Sequence, residues 1–162
     1  MSLIELYKFD VSGMFLNVPK SKGWLRDLLF LQAQAIYNSV LKSKPSDIGL
    51  IAVASNNMLC LNKDQNIFDS KKRIKAATVE GLEHKLTSKH QAAIARNNTL
   101  LAMYTNQVDL CKSLGDALLK DGTISSDEMA KINAGVLSRS GKAKEAVEIL
   151  MKLYHSGKKV KF

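Results

Sequence analysis

The sequence predicts a mainly α-helical bundle built around one long helix or helix pair, about residues 69–120. A small extended or hairpin-like segment precedes this body and a C-terminal helical hairpin follows it. Three observations predict this. No proline falls within residues 69–120, since Pro19 and Pro45 are the only two in the chain. Apolar residues recur there at helical spacing, from Ile74, Val79, Leu82 and Leu86 to Ala93, Leu101, Tyr104, Val108, Cys111 and Leu118. Beyond Gly122, Ser125-Ser126-Asp127-Glu128 has the residues of a capping box with acids in the first turn, which opens a further helix.

A single helix of about fifty residues extends roughly 75 Å and cannot bury its own stripe. Shorter elements must therefore lie along it, or a second copy must. Whether the stretch is one helix or two turns on Leu86 to Gln91. Ser88 with Gln91 fits a capping box, which starts a new helix, whereas the register slip between Leu86 and Ala93 also fits a stutter in a continuous one.

Taken in order, residues 1–18 look extended. Leu3, Glu5, Tyr7 and Phe9 alternate with Ile4, Leu6 and Lys8, and Asp10 to Gly13 supplies a turn. Trp24 to Leu41 carries a broad stripe (Leu25, Leu28, Leu29, Ile36, Val40) and predicts a helix buried on more than one side. Ile48 to Asn62 fits a helix capped by Ser46 with Asp47 in its first turn. It also fits a hairpin turning at Ser55-Asn56-Asn57; the helical surroundings favour the helix. Lys63 to Asn66 is a polar loop. Met129, Ile132, Val136 and Leu137 line one helix of the C-terminal hairpin (123–157), and Ala146, Val147, Leu150 and Leu153 or Tyr154 line the other. A basic tail at 158–162 follows Gly157. The length, 162 residues, suits a single domain.

Two local resemblances accompany this reading. Residues 110–137, with Leu110, Leu114, Leu118, Gly122-Thr123-Ile124-Ser125 and Glu128, resemble the short C-terminal domain appended to bacterial and phage proteins, which implies an interaction or oligomerisation role. Residues 128–162 resemble one pentatricopeptide-type repeat at Gly141, Ala146 and Gly157. Such proteins bind single-stranded RNA with stacks of repeats, and no second copy occurs here. Both resemblances imply a capped helical hairpin.

Chemistry is sparse. His84 and His90 are six residues apart and no cysteine or carboxylate joins them at zinc spacing, so no metal is expected. Asp121 to Glu128 lacks the alternating carboxylates and terminal glutamate of a calcium loop. No nucleophile elbow, phosphate-cradling glycine loop or dinucleotide fingerprint is present, and neither an enzyme, a cofactor nor a small-molecule substrate is expected. Cys60 and Cys111 sit among apolar neighbours as reduced thiols. With no secretory leader and no run long enough to span a membrane, an intracellular, cytoplasmic setting is expected, or a nuclear one in a eukaryote.

Charge supplies the remaining signal. The net charge is +9, and arginine occurs only at 26, 73, 96 and 139. Lysine-based positive charge attracts polyanions, whereas arginine forks carry most base-edge readout, so sequence-specific DNA recognition is disfavoured.

Two functions follow. The first is a non-catalytic interaction or assembly protein that associates with itself or another protein through Leu82, Leu86, Leu101, Tyr104 and Val108. The alternative is a sequence-tolerant nucleic-acid binder that uses Lys71, Lys72, Arg73, Lys75, Lys85 and Lys89.

Overall fold

The computed structural model describes residues 23–62 and 66–156. Among them every regular element is a helix: α1 (Gly23–Lys42), α2 (Ile48–Asn62), α3 (Ile67–Ala77), α4 (Ser88–Tyr104), α5 (Val108–Lys120), α6 (Ser126–Arg139) and α7 (Ala143–His155). The expected mainly α fold is present. The arm expected over 1–18 and the basic tail at 158–162 lie outside the described residues. The chain divides into two compact units between Ile94 and Ala95.

In the first unit the organising element is α2. It carries no charged residue, and it packs against both α1 and α3. Its buried positions run from Gly49 and Leu50 through Met58 and Leu59 to Asn62, on all sides of the helix. A helix buried on all sides and enclosed by two neighbours has no solvent face to present, and the expected helix, not the hairpin, is what forms. The cap is Asp47, not Ser46: its Oδ1 accepts from Gly49 N at 2.8 Å and its carbonyl accepts the first helical bond from Ile51. Ala54, Met58 and Leu61 of α2 pack with Ala33 and Tyr37 of α1. Buried amides on α2 find partners. Asn57 Nδ2 donates to the Tyr37 hydroxyl at 3.0 Å, and Asn62 Nδ2 donates to Asp69 Oδ2 at 2.8 Å.

The stretch expected as one helix or two is three. Between α3 and α4 the chain turns at Gly81 (φ +85°), a backbone state that strains residues with a Cβ. Leu86 N then donates to Leu82 O in a second turn. Helix α4 is capped by Thr87 rather than Ser88, because the Thr87 hydroxyl accepts from His90 N at 3.3 Å. Gln91, assigned to a capping box, reaches back instead to the carbonyls of Glu83 (2.9 Å) and Leu86 (3.2 Å). Between α4 and α5, Asn106 takes φ +56° and Gln107 N closes onto Ala102 O, a left-handed helix stop. The apolar periodicity survives these breaks because the turn leucines point inward as helix residues do.

In the second unit α5 packs on α6, and α6 on α7. Leu118, Ile124 and Met129 form the core, with Ala95 and Ile132 against it. The capping box at α6 is complete: Ser125 N donates to Glu128 Oε2 at 2.9 Å, and Glu128 N to Ser125 Oγ at 3.2 Å. Arg96 bonds the Thr123 carbonyl, while Arg139 Nη2 donates to Tyr104 O at 3.0 Å. These two links show that the Ala95–Tyr104 part of α4 runs in the same direction as α6. Gly141 (φ +80°) makes the turn into α7, so the expected C-terminal hairpin is present over the described residues.

Candidate docking surfaces

The five residues expected to contact a partner do not form one surface. Leu82 (5% exposed), Leu86 (9%) and Leu101 (6%) are buried. Leu82 and Leu86 are interior residues because the 82–86 turn folds them inward, and Leu101 lies on the buried side of α4. Tyr104 is half-buried, with the Arg139 guanidinium 5.0 Å from its ring centroid. Val108 alone is well exposed. Leu82 and Leu86 belong to the first unit, and Leu101, Tyr104 and Val108 to the second.

The apolar side chains that do reach the surface lie elsewhere. On α1, Trp24 (68% exposed), Leu28 and Leu31 stand at i, i+4 and i+7. On α7, Val147, Met151 and Tyr154 repeat that spacing and are exposed too. At about 100° per residue each trio spans about 60° of its helix, so each is a single stripe. Helical spacing places Leu28 and Val147 on the inward stripes; the structure turns them outward. On α1 the inward face is set by Ala33 and Tyr37, and on α7 by Ala146 with the half-buried Leu150 and Leu153. A stripe apolar on more sides than one neighbour can cover was the signal available for α1.

Of the basic set, Lys71, Lys72, Lys75, Lys85 and Lys89 are exposed. Arg73 differs. Its Nε donates to Asp69 Oδ2 at 3.2 Å within α3, and that carboxylate also takes the Asn62 amide, so Asp69 ties α3 to the end of α2 and holds Arg73.

Two titratable groups among the described residues are shifted by their surroundings. Burial pushes the Cys111 thiol up, away from the thiolate form that reacts. At exposed Asp121, the Thr123 hydroxyl and backbone N–H hold the carboxyl below its ordinary 3.8. No group of three or more His, Cys, Asp or Glu among the described residues is placed to hold a metal ion. Nor is any described helix long and apolar enough to cross a membrane.

No family model matches the chain. Over 121 residues, 42% are identical to a human protein, a match covering 74% of this chain and 18% of the relative. That relative is signal recognition particle subunit SRP72. SRP72 of Schistosoma mansoni is 42% identical over 99 residues, covering 61% of this chain and 13% of that protein. SRP72 of Caenorhabditis elegans is 32% identical over 120 residues, again 74% and 18%. The chain therefore spans less than a fifth of the SRP72 relatives it matches. Their shared name is that of a subunit of a particle.

Proposed function

We propose that this chain is a non-catalytic docking segment of a signal recognition particle-type assembly, contacting another protein subunit through helix faces that are exposed among the described residues. The 42% identity over 121 residues to SRP72, a subunit of such a particle, carries the reading. The exposed stripes support it. Burying Trp24, Leu28 and Leu31 against a partner is worth about 1–2 kcal/mol per side chain, since each is already partly covered. Tyr104 and Val108 remain available as contacts from the expected set, while Leu82, Leu86 and Leu101 serve the chain's own interior. Such a segment acts in the cytoplasm. Epitope-tagged chain expressed in its own host, purified and quantified by mass spectrometry, tests it. Other signal recognition particle subunits are expected to co-purify, and Trp24→Ser/Leu28→Ser/Leu31→Ser to lower their yield at least about fivefold. Absence of every such subunit from the wild-type preparation overturns the proposal.

A second reading has its own support. Five of the six basic residues singled out in the sequence are solvent-exposed, and few acids interrupt them. Sequence-tolerant polyanion binding through Lys71, Lys72, Lys75, Lys85 and Lys89 follows. It predicts affinity that falls steeply with salt.

A further inference from the structure

Phe68 is the most exposed large apolar side chain among the described residues, at 85%. It sits in the first turn of α3, and the residues sharing its face are cations. At about 100° per residue, Lys75 falls within about 20° of Phe68, Lys72 within about 40° and Lys71 within about 60°. Ser70, Ile74 and Ala77, the buried residues of α3, occupy the opposite face. The one acid in the first turn, Asp69, already holds Arg73 and Asn62 and is offset from the face by about 100°. The outer face of α3 is thus an aromatic ring with three cations over two turns and no unpaired carboxylate.

We infer that this face is a binding platform for single-stranded nucleic acid, on which Phe68 stacks against an unpaired base while Lys71, Lys72 and Lys75 hold the flanking phosphates. The inference rests on the polyanion reading above and makes it selective. Lysines alone bind duplex and single strand alike, and a double helix hides its base faces from a ring on a convex helix surface. An exposed aromatic therefore adds affinity only for unpaired bases. Lysine rather than arginine agrees with backbone contact without base-edge readout.

Fluorescence anisotropy of the full chain with a labelled 12-nucleotide single-stranded RNA, its duplex and polyglutamate tests the inference. The single strand is expected to bind at least about tenfold more tightly than the duplex. Phe68→Ala should abolish that preference without altering the circular dichroism spectrum. A plot of log affinity against log salt for the single strand should have a slope of about −2, flattening in Lys71→Gln/Lys72→Gln/Lys75→Gln. Equal binding of single strand and duplex, unchanged by Phe68→Ala but lost in the lysine variant, overturns the platform and leaves the polyanion reading standing. No binding of either RNA at low salt overturns both. Polyglutamate binding as tightly as RNA also overturns the inference, since the ring would then serve an acidic peptide.

Discussion

Tyr37→Phe, Asn57→Leu and the double variant probe whether α2 is held as a buried spine. Tyr37 is 1% exposed and Asn57 8%, and the Asn57 amide donates to the Tyr37 hydroxyl at 3.0 Å. Deleting the hydroxyl removes this hydrogen bond, which costs about 0.5–1.5 kcal/mol. Replacing the amide with leucine removes the same bond and costs a similar amount, with added strain where the branched chain does not fit. Independent effects would sum to about 1–3 kcal/mol. Because both single variants break the same bond, the double variant is expected to lose at least about 0.5 kcal/mol less than that sum. Urea denaturation followed by circular dichroism measures all four proteins. Additivity within about 0.3 kcal/mol would falsify the claim that this pair is one buried interaction across α1 and α2.

Other expectations concern caps, core and pH. Thr87→Ala should destabilise by about 1 kcal/mol while Ser88→Ala stays within about 0.5 kcal/mol; the reverse order in urea would return the α4 cap to Ser88. Leu101→Ala is expected to cost about 2–5 kcal/mol and Val108→Ala under about 1 kcal/mol; comparable losses in thermal melts would show that the two sites are equally buried. Cys60 should react with a thiol-labelling reagent in the native state well before Cys111, which is buried and has a raised thiol pKa; simultaneous labelling would contradict the packing around α5. The depressed carboxyl of Asp121 contributes stability that is present above its ordinary 3.8 and lost as pH falls through its lower folded value. Asp121→Asn should therefore flatten the acid limb of the stability curve below that pH, and an unchanged limb would count against the Thr123 contacts.

Which parts of this arrangement were visible in the sequence follows from the range of the forces involved. The Ser125 to Glu128 box is satisfied within four residues, so residue types alone locate it, and the structure shows both of its bonds. The breaks at Gly81 and Asn106 were harder to see. Leu82, Leu86, Leu101 and Cys111 keep helical spacing across them, because an inward-turned leucine in a tight turn satisfies the same periodicity as one on a helix. The preference for helix over Ile48–Asn62 was correct, but its reason is tertiary: α1 and α3 enclose it. The surface could be read least. Spacing shows that Leu28 or Val147 is apolar, yet which side faces a neighbour depends on helices distant in sequence. Arg73 looked like its lysine neighbours until Asp69 appeared beside it. Exposure of Lys71, Lys72 and Lys75 on one face with Phe68 was already implicit in their spacing, once the buried face of α3 is known.

Sedimentation of the tagged 162-residue chain through a density gradient of extract from its own host tests the docking proposal most directly. The chain is expected far below the position of a 17.9 kDa monomer, in the fractions that hold the other signal recognition particle subunits. Trp24→Ser/Leu28→Ser/Leu31→Ser should return it toward the top. A wild-type chain that stays at the monomer position, apart from those subunits, contradicts the account.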